Sequence, residues 1–286
     1  GADLIGVELK SANLRNADME EADLIGADLR GASFVEANLE SANLHRANMF
    51  KTDLTKARLG HADLFGANLV GATLAGADLS FAELRQADFS SADLRGARLL
   101  DANLAGADLS GTEIDDATQL SPKWRLVWDI LNGDGYAEKL RDSDLQDAAL
   151  SGVTLEGVDL RGANMSRTVL RYAVFTDADM AGAVLRGADL EGADFEGADL
   201  TRVDLLGARG LAMRQLVELG VHTTKRVTAT LVALRDLGSA HRQRAPSRAH
   251  GAKAALAPEG LVEKVEVDLD VVHFVHAADV RPPPLL

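Results

Sequence analysis

Ala62-Asp63-Leu64-Phe65-Gly66-Ala67-Asn68-Leu69-Val70-Gly71 is one five-residue phrase written twice, and the phrase continues in both directions. From Leu4 to Ile114 every fifth residue is Leu, Met, Phe or Ile, 23 positions without a break, 18 of them Leu. Ala stands two residues earlier in 20 of the 23 units, with Val7, Thr52 and Thr112 as exceptions. A second array of 14 such positions runs from Leu140 to Leu205 and includes Met165, Phe175, Met180 and Phe195. A short fixed period overrides local propensity, so the unit Ala-[Asp/Asn]-Leu-x-x has to be explained first.

The period excludes both regular backbones in continuous form. On an α-helix five steps of about 100° advance the leucine by about 140°, so the leucines would spiral around every side. On one long strand an odd period throws successive leucines onto opposite faces. The pattern works when each pentapeptide is one short side of a coil. Ala and Leu, two apart, then point inward together, and the x-x pair turns the corner.

Residues 1–117 and 138–208 resemble the pentapeptide repeat family. The resemblance implies an all-β solenoid, a right-handed quadrilateral β-helix with four pentapeptides in each coil. At one strand spacing of about 4.8 Å per coil, the first array would be about 28 Å long and the second about 17 Å. Inward Ala and Leu fill a narrow interior to crystal-like density. That fits a chain with 47% hydrophobic residues but only 4% aromatics; Phe34, Phe89, Phe175 and Phe195 are the tolerated exceptions. A single coil is all edge, so stability adds up between neighbours along the stack and both ends need covering. Gly1-Ala2-Asp3-Leu4 is already in register, so either residues precede it or a partner closes the first coil.

Composition removes several classes of function. There is no cysteine, hence no disulfide, thiolate metal site or cysteine nucleophile. No apolar run approaches the roughly 20 residues a membrane span needs, and a cytoplasmic location is expected. A net charge of −14 argues against direct binding to nucleic acid. A filled β-helix offers no internal pocket for convergent catalytic groups, so no enzyme activity and no cofactor are expected. His273 and His276, three apart on a predicted strand, point to opposite faces, so no metal site is expected either.

The rest of the chain divides by pattern. Residues 118–137 form an insert that shifts the leucine register by one. Ser121-Pro122 opens a helix in it and Gly133 ends it, with Trp124, Val127, Trp128 and Leu131 on one apolar face. Either this helix covers its own solenoid or it projects its aromatic face to a partner. Residues 209–238 read as a helical cap, in which Val227, Leu231 and Leu234 share a face and Gly238 stops the second helix. Residues 239–260, with Arg242, Arg244, Arg248 and Lys253, read as a flexible basic linker rather than a nucleic-acid arm, because no aromatics interleave. In 261–286, Val265, Val267, Leu269 and Val271 alternate with acids as a half-buried strand before a Pro-rich tail. That strand has to pair with the solenoid, another subunit or a different protein. The family resemblance also implies dimerisation through the C-terminal segment.

Stacking every fourth unit puts Ile5, Ile25, His45, Phe65 and Arg85 in one outer column and Lys10, Arg30, Phe50 and Val70 in the next. These are either scattered surface hydrophobes or a docking strip. One branch of the family resembles duplex DNA and occupies the DNA saddle of bacterial type II topoisomerases. In residues 1–120 there are 20 acids and 10 bases, but 13 of the acids sit just before the leucine and belong to the repeat. Asp189, Glu191, Asp194, Glu196 and Asp199 form a denser cluster, with Arg202 as the cation close by in sequence. The favoured reading is a non-enzymatic protein-binding scaffold whose partner contacts are Trp124, Trp128, Ile5, Ile25, Phe65, the acids Asp189, Glu191, Asp194 and Glu196, and the strand residues Val265, Val267, Leu269 and Val271. The alternative is a DNA-mimicking modulator of gyrase that gives resistance to a topoisomerase poison. A targeting module cut from a larger polypeptide is a third.

Overall fold

A computed structural model describes residues 1–133 and 140–211. Each five-residue unit places one residue in a parallel bridge with its counterpart four units on, from Asp3–Asp23 to Asp93–Glu113 in the first array and from Asp144–Asn164 to Asp189–Arg209 in the second. Four units therefore close one coil, and the arrays are quadrilateral β-helices. The bridging residue is the Asp/Asn of the unit. Its amide donates one coil back, as Asp23 N to Ala2 O at 2.8 Å, and the next leucine donates one coil forward, as Leu4 N to Asp23 O at 2.8 Å. Coils thus satisfy one another's backbone groups, the condition for burying them.

At most corners the amide of the next unit's first residue closes a turn onto the leucine carbonyl, as Val7 N to Leu4 O at 3.1 Å. The residue before it is left-handed, the sign a type II turn requires at its third position. Gly6 sits there at φ 63°, but so do Lys51 at 54°, Phe81 at 61° and Tyr172 at 57°. For a side-chain-bearing residue that conformation costs about 1–2 kcal/mol, so the stack itself must hold these corners in place.

From Ala22 to Leu109 the inward positions are almost wholly buried, as are those from Leu140 to Leu205 apart from Ser143, Val158 and Ala198. Phe34, Phe89 and Phe175 lie fully inside, and Phe175 stacks on Phe195 at 5.0 Å between centroids. Thr52 and Thr168 occupy alanine positions and resolve the burial of a hydroxyl the same way. Each Oγ1 donates to a leucine carbonyl of the preceding coil, Leu29 O at 2.8 Å and Leu145 O at 2.9 Å. Leu4, Leu9, Leu14 and Met19, in the first coil described, are only half-buried.

The register shift lies earlier than the insert. Arg98 bridges Gln119, where the period would give Thr118, so the extra residue is in the corner Asp115-Asp116-Ala117, and the solenoid runs on past residue 117. Asp115 holds that corner. Its Oδ1 accepts the amides of Gly96, Ala117 and Thr118 at 2.9, 3.0 and 3.0 Å and the Thr118 hydroxyl at 3.0 Å. These bonds, the Gly96 amide first, hold its carboxyl below the usual range. Beyond it Leu120 and Leu140 are in phase, so the insert has the length of one coil of sequence.

Helix α1 spans Pro122–Asn132 and lies against the solenoid, with Trp124, Val127 and Ile130 buried and Trp128 and Leu131 half-buried. The buried face is thus rotated toward Ile130 from the face expected. In a regular coil the carbonyl at Thr112's position accepts the amide of the next coil's Asp/Asn; here the Trp128 indole N–H donates to it at 3.1 Å. Asn132 Nδ2 adds a bond to Leu109 O at 3.0 Å, a carbonyl that already closes its own corner, and Gly106 N to Asp147 O at 2.7 Å ties the second array to the first. At Thr112 the helix thus substitutes for a donor of the missing coil. With Trp124 only 8% exposed, iodide should fail to quench a blue-shifted share of the tryptophan fluorescence; complete quenching with red-shifted emission would contradict this packing.

The strand at 265–271 and the basic linker lie outside the described residues, as does the expected helical cap from residue 212 on; at its start Arg209 bridges Asp189 and so still belongs to the solenoid. Among the described residues no helix is long and apolar enough to cross a membrane.

Candidate interaction surface

Once the interior is filled by Ala and Leu, only the outside is left for recognition. It consists of four flat faces lined by the Asp/Asn positions and four corners lined by the x-x pairs.

The carboxylates on the faces are engaged by their own backbone. Asp63 Oδ1 accepts the Phe65 amide at 2.9 Å, Asp88 that of Ser90 at 2.9 Å, and Asp199 that of Thr201 at 2.8 Å. This Asx turn is why Asp and Asn alternate freely there: both supply the oxygen, and the charge is incidental, while Arg58, Arg98, Ala149, Val169, Val174 and Val184 hold the same bridge without it. Many of these acids also carry a cation. Asp28 pairs with Lys10 at 3.1 Å and Arg30 at 2.8 Å, and Asp93 with Arg95 at 2.6 Å. In the second array Arg161 Nε donates to Asp159 Oδ1 at 2.8 Å. That guanidinium pulls the Asp159 carboxyl down to about 2. The folded-state value is depressed, so the stabilisation is complete above the ordinary 3.8 and is lost as pH falls toward about 2. A carboxyl-carbon NMR titration should place Asp159 near that value; a midpoint at 3.8 or above would contradict the pair.

Arg171, one coil before the acidic cluster, holds Asp189 at 2.9 Å and Glu191 at 2.9 Å. The sequence reading, which set only Arg202 beside these acids, is corrected by a cation that stacking brings in. Asp194 and Glu196 make no ion pair among the described residues.

The columns expected on the corners are present. His45 stacks on Phe65 at 4.9 Å and 9°, and the Arg85 guanidinium lies over the same ring at 5.4 Å, held by Glu83 at 2.8 Å. Ile5 is 57% exposed, Ile25 and Phe65 are half-buried, and Phe50 carries Lys51 over its ring at 5.1 Å. Trp124 and Trp128 turn toward the solenoid, which corrects their place among exposed partner contacts.

Sequence reasoning misses a second aromatic column. His61 stacks on Phe81 at 5.0 Å and 5° on the neighbouring corner position. Phe81 is 55% exposed and Leu100 41%. Both line a shallow pocket of about 380 Å³ together with Glu40, Asp78, Arg98 and Asp101. The signal was available: the same column test, applied to the left-handed corner position, puts His61 before Phe81 just as it puts His45 before Phe65. Among the described residues no group of His, Asp or Glu is arranged to hold a metal ion.

Eight copies of the pentapeptide repeats family model match between residues 2 and 118 and between 139 and 209. The chain belongs to the pentapeptide repeat family. Among solved pentapeptide repeat proteins, HetL of the cyanobacterium Nostoc sp. strain PCC 7120, involved in heterocyst differentiation regulation, is 29% identical. That alignment covers 72% of this chain and 88% of HetL, with a TM-score of 0.27. A pentapeptide repeat protein of the Arabidopsis thaliana thylakoid lumen is 23% identical over 44% of this chain and 88% of its own, with a TM-score of 0.34. QnrB1, a plasmid-mediated fluoroquinolone resistance protein, is 20% identical over 76% of this chain and 93% of its own, with a TM-score of 0.23. No curated protein matches the chain.

Proposed function

We propose that this pentapeptide repeat protein is a non-enzymatic scaffold that binds another protein through its outer corners and faces. One observation carries the reading: inward positions are taken almost wholly by Ala, Leu and a few Met, Phe, Val and Thr side chains, while the stacked rings of His45–Phe65 and His61–Phe81 stand in register on the corners, Phe65 half-buried and Phe81 exposed. Rigid columns at a fixed rung spacing are a template for a partner of matching shape, because little order has to be gained on binding. Tagged full-length protein should capture a stoichiometric partner that is lost when Phe65 and Phe81 are replaced by serine, or when residues 261–286 are deleted. Capture indifferent to both changes would contradict the proposal.

The acidity supports a second reading, a DNA-like surface for a type II topoisomerase. Residues 1–208 carry 36 acids against 19 bases. Over nine to ten coils of about 4.8 Å that is one net charge per roughly 3 Å, against about 1.7 Å for duplex DNA. The rod thus has somewhat more than half the linear charge of the duplex, with Asp159, Asp179 and Asp199 in one column. Supercoiling by gyrase, with and without a quinolone-type poison, tests it: no change at micromolar protein would remove this reading and leave the scaffold.

A further inference from the structure

The molecule contains one aromatic site twice, once complete and once not. In the complete copy His45 stacks on Phe65, Arg85 covers the ring, and the Glu83 carboxylate holds the guanidinium. In the other, His61 stacks on Phe81 with the same near-parallel geometry, yet the next residue in the column is Asp101. Of the three phenylalanines on the outer corners of the solenoid, Phe50 and Phe65 have a cation over the ring, and among the described residues Phe81 has none. The cations nearest the pocket are already committed, Arg58 to Glu40 at 3.3 Å and Arg98 to Asp78 at 3.7 Å. Asp101 makes no ion pair among the described residues.

We infer that the pocket beside Phe81 is the docking site for an arginine side chain presented by a partner protein, an inference that rests on the scaffold reading. The open face of the ring takes the planar guanidinium, as Phe65 takes Arg85. Asp101 supplies the carboxylate that Glu83 supplies at the complete copy, and Leu100 forms a wall for the aliphatic stem. With Glu40 paired to Arg58 and Asp78 to Arg98, Asp101 is the lining carboxylate left without an ion pair among the described residues, so the pocket has one negative charge to offer an added cation. Arginine is favoured over lysine because a flat, weakly hydrated cation stacks on a ring with less desolvation.

The test uses the full chain with labelled phenylalanine and histidine rings and the blocked peptide acetyl-Gly-Ser-Arg-Ser-Gly-amide, with its neutral citrulline counterpart as control. The arginine peptide should move the Phe81 and His61 ring signals saturably and leave Phe65 unmoved, and the citrulline peptide should move neither. Phe81→Leu and Asp101→Asn should each weaken the response about fivefold, the scale of one exposed cation–ring contact. Asp101→Asn is a surface change, so its effect is readable even if Phe81→Leu disturbs the corner. Equal response to citrulline, a response that survives both substitutions, or no response would overturn the site. So would a response that appears only after Arg242, Arg244 and Arg248 are changed to Gln, since the chain's own arginines would then be the occupants. A partner held through Phe65 or through residues 261–286 would still be captured after any of these outcomes, so failure here is distinct from failure of the scaffold reading.

Discussion

Replacing Leu69 by aspartate will break the first array in two. Leu69 is fully buried, with Met49 and Phe89 in the coils before and after it, and no interior cation is available to pair with a carboxylate. Leu69→Ala removes the contacts alone and should cost about 2–5 kcal/mol. The carboxylate adds the penalty of an unpaired buried charge, which it escapes only by protonating or by opening the coil. Because stability is a sum over neighbours, the damage should localise: coils well beyond position 69 stay ordered while those beside it exchange their amides. Hydrogen exchange read coil by coil should show protection lost around residues 49–89. Uniform loss along both arrays would mean that the solenoid unfolds as one unit, and unchanged protection would mean that Leu69 is not inside.

The second large effect is expected at the helix. Trp124→Ala should destabilise by about 3–5 kcal/mol, the usual cost of truncating a buried aromatic. Trp128→Phe keeps most of the packing but leaves Thr112 O without the indole donor, at a cost of about 1–3 kcal/mol. The ordering separates this role from a partner-binding one. If α1 completes the stack, both variants lower the denaturation midpoint of the isolated protein; if its aromatic face served a partner, the midpoint would stay and only binding would fall.

The five-residue unit was legible because the period is exact in type over the whole first array, and because Ala and Leu two apart leave only one way to point together; that four units close a coil came from the family resemblance, and the bridges between residues 20 apart bear it out. The corner Asp115-Asp116-Ala117 was not legible, since a single added residue looks like the end of the repeat. Only the coordinates show Asp115 gathering donors from two coils and carrying the solenoid on to Gln119. The Phe65 column was legible from spacing alone, whereas the reach of Arg85 over its ring and of Arg171 across a coil depends on side-chain conformation. Helix α1 begins and ends at its Pro and Gly signals, but its buried face was not legible. The expected face was drawn from apolar spacing, and what decides it is the set of carbonyls at the end of the coil, which draws Trp128 to its rim and leaves Ile130 inside.

Every column, pocket and docking site described above depends on residues four units apart lying on adjacent rungs, and the cysteine-free chain allows that to be measured directly. Spin labels on cysteines placed at positions 5 and 105, five coils apart on one corner, should lie about 24 Å from each other, and labels at 25 and 105 about 19 Å, a step of one strand spacing. Narrow distributions that shorten by about 5 Å per coil are the predicted result; broad distributions, or distances that do not step with the number of coils, would contradict the stack of four-unit coils.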